Sequence, residues 1–231
     1  MKNSDVDLDI LKIAAKTLQP LKDELVFLGG ATISIYITEP IHVKIRETLD
    51  VDCVVEVGHR MEYEAIAKKL RSIGFSEDMD SQVICRFKKD SIILDVMPTD
   101  PKILGFTNIW YKEGYQNAKI FQIGNVSIKV FDLPYLIATK IEAFKGRGKG
   151  EFLYSHDIED IITLFDGRPS ISDDLKKCDQ NLLNYLRKEI EAFQNNKNFL
   201  NSLDGHISDR FNVDGRKQII IDRIKNFLNL I

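Results

Sequence analysis

Apolar residues recur at helical spacing through residues 5–22 (Leu8, Leu11, Ile13, Ala14, Leu18), and Pro20 predicts where that helix stops. Val26-Phe27-Leu28 reads as a short strand that Gly29-Gly30 turns into a helix through Thr32, Ile33, Ile35 and Tyr36. Residues 61–73 carry a second helical period. Strand patterns follow near 82–88, 91–97, 119–123 and 126–130, the last two joined by a Gly124-Asn125 turn. From Asp132 the strand signals cease, and helical periods run to Ile231, interrupted at Gly146–Gly150, Gly167-Arg168-Pro169 and Gly205. The pattern predicts an α+β chain in two parts: a mixed-sheet domain over residues 1–130 and a helical domain over 131–231. No internal repeat or low-complexity stretch interrupts it.

Polar residues placed inside these apolar runs mark the candidate chemistry. In Thr48-Leu49-Asp50-Val51-Asp52-Cys53-Val54-Val55 the alternation of a strand sends Asp50 and Asp52 to one face and Val51, Cys53 and Val55 to the other. Their α-carbons should lie about 7 Å apart, so the carboxylates can converge on a pair of metal ions. Two such charges 4 Å apart repel by about 4 kcal/mol at an effective dielectric of 20, and a divalent cation reverses that cost. A solvent-facing strand edge would also accommodate the pair, but Val54 and Val55 favour a covered strand. Asp95 interrupts a further apolar run, Ile92–Met97, and completes a set of three acids beside a glycine turn. Glu56 would sit about 13 Å from Asp52 along the strand, too far to join them.

Composition narrows the setting. The chain has 231 residues, 44% of them hydrophobic and 29% charged, enough for a substantial core. It contains no apolar run of about 18 residues, so no membrane span is expected. The polar start Met1-Lys2-Asn3-Ser4-Asp5 is unlike a secretory signal. Cys53, Cys85 and Cys178 are widely separated, which reads as free thiols in a reducing, cytoplasmic setting. A net charge of −3 argues against a nucleic-acid coat protein while leaving room for a local basic groove.

Gly29-Gly30, Asp50-x-Asp52 and a later strand with a lone Asp95 resemble the active site of the DNA polymerase β-type nucleotidyltransferases. Ala138-Thr139-Lys140-Ile141-Glu142-Ala143-Phe144 and Ser155-His156-Asp157-Ile158-Glu159-Asp160-Ile161 resemble blocks of the AbiEii/AbiGii branch, the nucleotidyltransferase toxins of abortive-infection and toxin–antitoxin systems. The resemblance covers roughly residues 10–166. It implies a nucleotidyltransferase fold for the first domain and transfer of a nucleotidyl group from a nucleoside triphosphate to a hydroxyl acceptor. It also implies magnesium or manganese at Asp50, Asp52 and Asp95, an RNA acceptor such as tRNA, and a cognate antitoxin. An alternative is a catalytically weak protein of that fold that binds a nucleotide or a partner, and a small-molecule acceptor is a third. Polymerase-like relatives often carry a serine after the glycines; here it is Ala31, leaving Thr32 or Thr48 to supply a hydroxyl.

Other residues admit two readings each. Gly29-Gly30 would let backbone amides approach a phosphate, helped by the start of the next helix, or would serve only as a tight turn. Lys140 falls within the apolar stripe Leu133, Leu136, Ile137, Ile141, Phe144, and either reaches a triphosphate or extends its amine to water. Asp157 complements a helix start or, by the resemblance, acts as base near the acceptor with Asp160 in support. Lys145–Gly150 is a glycine-spaced basic stretch suited to a phosphate backbone or to a plain connector. His156-Asp157 invites comparison with HD-type phosphohydrolases, but His42, His59 and His206 lack the acid context to complete such a site.

Overall fold

The computed structural model describes residues 3–39, 45, 46 and 48–229. His42 lies outside them. Packing groups the chain into two units, Met1–Thr32 with Glu47–Asp132 and Ile33–Arg46 with Leu133–Ile231. A single cut at residue 130 misses this return: the one-turn helix Ile33–Tyr36 packs on the helix His156–Gly167 of the second unit.

Among the described residues the first unit holds a seven-stranded mixed sheet. Its strands are β1 (Val26–Leu28), β2 (Asp50–Val55), β3 (Ser76–Glu77), β4 (Arg86–Lys89), β5 (Ile92–Pro98), β6 (Lys119–Ile123) and β7 (Val126–Val130), in the spatial order β3-β4-β5-β2-β1-β7-β6. β2 is therefore interior, antiparallel to β1 and parallel to β5. Its inward residues Val51 and Cys53 are buried with Leu94 and Val96 of β5. The helix Arg60–Ser72 buries Tyr63, Ile66, Ala67 and Leu70, a stripe at spacings of three and four. The Tyr63 hydroxyl donates to the Val96 carbonyl at 2.9 Å and ties that helix to β5. β6 and β7 meet at Gly124-Asn125 with Gly124 at φ +60°.

The first helix ends at Thr17, and Pro20 lies in a following 3₁₀ turn, Gln19–Leu21. β4 starts at Arg86, not near 82: Val83 and Ile84 face solvent and so do not extend the strand. Pattern alone gave no sign of β3 or of the short helices Pro101–Leu104 and Tyr111–Gln116.

The second unit is helical. Leu133, Leu136, Ile137, Ile141 and Phe144 of the helix Leu133–Arg147 are all buried, and Pro134 occupies its first turn, where a missing N–H costs nothing. Phe144, Phe152, Phe193 and Phe199 form an aromatic cluster with ring centroids 4.7–5.9 Å apart. The carboxyl end of the helix His156–Gly167 is capped from two sides. Gly167 O accepts from the Thr38 and Glu39 amides at 3.0 and 2.9 Å, and Asp166 O accepts from Arg216 and Arg223 of the helix Val213–Leu228. Arg216 also holds the buried Asp166 carboxylate at 2.6 Å.

Candidate active site

In the first unit two neighbouring strands bring the three acids together. Asp52 and Asp95 are register partners on the parallel pair β2–β5, and Asp50 stands two residues earlier on the same face of β2. The covering expected of β2 is present, so the pair does not lie on an exposed sheet edge. At the end of β1 the chain turns at Gly29, whose φ of +80° suits glycine. A β-carbon there would stand 1.9 Å from Asp52 Oδ2 and 2.7 Å from its Cγ, so the Asp52 carboxylate rests on bare backbone. The following segment differs from expectation. Gly30–Thr32 is a 3₁₀ turn and the helix after it lasts one turn, so few peptide dipoles align toward a ligand there. Thr32 Oγ1 donates to Gly29 O at 2.9 Å, committing that hydroxyl to its own turn, and Thr48 is buried.

Pattern reading missed Arg86. It pairs across the β4–β5 ladder with Asp95, donating from Nε to Oδ1 at 2.8 Å and from Nη2 to Oδ2 at 2.7 Å, while Nη2 also reaches Asp50 Oδ2 at 3.0 Å. These bonds to Asp95, and then the charges of Asp95, Asp50 and Asp52, raise the Arg86 pKa further despite its partial burial. The acids are felt beyond the guanidinium. Burial, then the charges of Asp95 and Asp52, push the Cys85 thiol up to about 12; burial with the same two charges raises Cys53 as well. Both cysteines are thus neutral, and neither they nor the half-buried Cys178 form a disulfide. The signal for Arg86 was present: an arginine inside Val83-Ile84-Cys85-Arg86-Phe87, one two-residue turn (Asp90-Ser91) away from the strand of Asp95.

Carboxylate oxygens are the donors a hard divalent cation takes, and Asp52 on its glycine cradle is well placed to offer them. The present arrangement nonetheless does not fit an ion, because Arg86 occupies Asp95 and Asp50. Among the described residues no group of three or more His, Cys, Asp or Glu side chains is drawn closely enough together to hold a metal.

In the second unit Lys140 does not extend to water. It is 7% exposed, and its amine lies 2.5 Å from Asp160 and 3.5 Å from Asp157. Arg147 donates to both oxygens of Asp157, from Nε at 2.9 Å and Nη2 at 2.8 Å, so that carboxylate is already engaged by two cations. Arg46 adds ion pairs to Glu159 and Asp160 at 3.7 and 3.8 Å. Residues 145–147, expected in a loop, continue the helix; Lys145 pairs with Glu142 and Glu189. His156 Nδ1 lies 3.2 Å from Glu159, and His206 Nε2 donates to Phe152 O at 2.8 Å. His59 precedes the helix Arg60–Ser72 in the first unit.

No family model matches this chain, and no curated protein is significantly similar to it. Among solved structures, that of an antigenic nucleotidyltransferase-like protein from Paracoccidioides brasiliensis is similar, with a TM-score of 0.49 and 17% identity over 94% of each chain. Among the described residues no helix is long and apolar enough to cross a membrane.

Proposed function

We propose that this chain transfers a nucleotidyl group from a nucleoside triphosphate to a hydroxyl acceptor. The observation that carries the reading is the convergence of Asp50, Asp52 and Asp95 on one face of the central strands, with Asp52 lodged against a glycine turn that no side chain could share. Carboxylates gathered at a backbone-lined turn suit the handling of a polyphosphate. In this arrangement it is Arg86 that neutralises charge on Asp95 and Asp50. Backbone amides of Gly29 and Gly30 would meet the phosphates beside the Asp52 carboxylate.

The finer assignments rest on the resemblance of the sequence blocks. They are magnesium or manganese as the ion, RNA and plausibly a tRNA 3′ end as acceptor, and a toxin role countered by an antitoxin in the cytoplasm. Lys140 as triphosphate counter-charge and Asp157 as base belong with them, and both would have to exchange the partners they now hold. Burial and prior pairing make their first role structural within the helical unit. Arg86 favours one second reading, a catalytically weak nucleotide- or partner-binding module, since it ties up two of the three acids.

Incubation of the purified chain with each labelled triphosphate and total RNA, with magnesium or manganese, separates the two. Incorporation is expected, and Asp52→Asn and Asp95→Asn should each lose about a hundredfold or more, as when one charge-stabilising group leaves a preorganised site. Labelled nucleotide that binds without being transferred would support the module instead. Wild-type turnover in Asp95→Asn would remove that residue from the site.

A further inference from the structure

The sheet of the first unit ends differently on its two sides. On one side β3 is two residues long and its Glu77 is held by Arg71, a short, charged border that discourages further pairing. On the other side β6 runs Lys119-Ile120-Phe121-Gln122-Ile123, with no proline and a single charge. Ile120 is 76% exposed, and Lys119 and Gln122 also face solvent. The hairpin fixes where the backbone groups of β6 point. Ile123 and Val126 flank its two-residue turn, which makes them a hydrogen-bonded pair, and such pairs alternate along an antiparallel ladder. Phe121 with Ile128 and Lys119 with Val130 are then the other bonded pairs. β7 agrees: the Phe131 amide donates to Phe27 O of β1, which leaves Val130, Ile128 and Val126 to serve β6. The amides and carbonyls of Ile120 and Gln122 therefore point away from β7, toward a side on which no strand lies among the described residues.

We propose that β6 is a homodimerisation edge: β6 of a second copy of this chain pairs with it antiparallel about a two-fold axis at Phe121, joining the two sheets into one. The strand is complementary to itself in that register, which uses its whole length. Ile120 stands opposite the partner's Gln122 and Gln122 opposite the partner's Ile120, so every outward amide meets an outward carbonyl, with two bonds in each of the two symmetric pairs. Phe121 faces the partner's Phe121 at a non-bonded position, where side chains approach most closely, as an aromatic cross-strand pair. Charge fits the same register. Lys119 falls opposite the partner's Ile123, not the partner's Lys119, and keeps its own Asp132 at 3.7 Å. A slip of one residue would set outward groups against inward ones and lose the bonds. The seam is small, which places it among weak, reversible associations.

Sedimentation equilibrium of the full chain, from micromolar to near-millimolar concentration, should show monomer and dimer in exchange. Gln122→Pro removes an outward amide that β7 does not use, a change an edge strand tolerates. Through the two-fold axis it deletes one bond from each symmetric pair, so it should weaken the dimer about tenfold or more. A second variant keeps the test decisive if the proline disturbs folding. In Phe121→Cys the two introduced thiols face each other across the axis within reach of a disulfide, so mild oxidation should give a covalent dimer that wild type does not. Ser127→Cys, one strand further from the seam, should give none. A chain that stays monomeric throughout the range overturns the proposal. So does a dimer indifferent to Gln122→Pro, or one that Phe121→Cys fails to cross-link, since its seam would lie elsewhere. Amide hydrogen exchange at Ile120 and Gln122 should slow as chain concentration rises. Slowing only when a synthetic peptide of residues 119–123 is added to a chain that remains monomeric would give the edge to a foreign strand and overturn the second copy as its occupant.

Discussion

Gly29 concentrates two demands in one residue, a left-handed backbone and room for the Asp52 carboxylate. An alanine there would cost about 1–2 kcal/mol in backbone strain alone, and its β-carbon would have to move Asp52. Gly29→Ala should therefore lower stability by at least that amount in urea unfolding and lower nucleotide transfer nearly as far as Asp52→Asn does. Because one loss acts through the other, the double variant should be little worse than either single one. Additive losses would show that Gly29 works separately from Asp52. The acids themselves were legible because alternation along a strand leaves few alternatives for Asp-x-Asp, and the glycine pair was legible as a turn. Arg86 escaped because a charged residue near a presumed strand end reads as surface. Its meaning depends on the register of a hairpin, which one residue of slip would alter.

Helices that bury a stripe announced themselves by period, as in Leu133–Arg147, whereas Tyr111–Gln116 did not. It is too short to show a period, and it is fixed by Gly114 lying against Phe131, where a β-carbon would come within 2.3 Å of the ring. The buried ion pairs of the helical unit were likewise hidden, since Lys140 on an apolar face implies a partner without naming it. The helix Gln180–Gln194 offers a measurable element-level effect. Its cap, Asp179, accepts from the amides of Leu182 and Asn181 at 3.1 and 2.9 Å and from the Tyr135 hydroxyl at 3.0 Å. The Leu182 amide foremost, with the Tyr135 and Asn181 donors, lowers its pKa below the usual 3.8 against the opposing effect of burial. A depressed carboxylate stabilises the fold above its unfolded pKa and ceases to do so as pH falls through the folded one. Wild type should thus exceed Asp179→Asn in melting temperature at pH 7, and the gap should close below pH 3.8. Asp179→Ala, lacking any acceptor, should cost about 1 kcal/mol at neutral pH. A gap unchanged by acid would mean that the charge at this cap contributes nothing.

Neither unit is a single stretch of chain. The second unit depends on residues 33–46 for the two amides on Gly167 O, for the Tyr36 carbonyl that accepts from Arg168 at 3.0 Å, and for the Arg46 ion pairs to Glu159 and Asp160. A fragment of residues 133–231 should accordingly melt at lower temperature and be cut faster by protease than the same fragment joined to residues 33–46 by a flexible linker. Identical behaviour of the two would show that the early segment is dispensable to the helical unit.

The same interleaving sets an order in time. As the chain leaves the ribosome, residues 33–46 appear before all of Glu47–Asp132, and the helices they pack with appear only after it. β1 likewise stays without its parallel neighbour β7 until residues 126–130 have emerged. At about 5–20 residues per second these early segments wait on the order of ten seconds for their partners. Neither unit can close before the chain has reached residue 132, so a chain interrupted before that point leaves both unfinished at once.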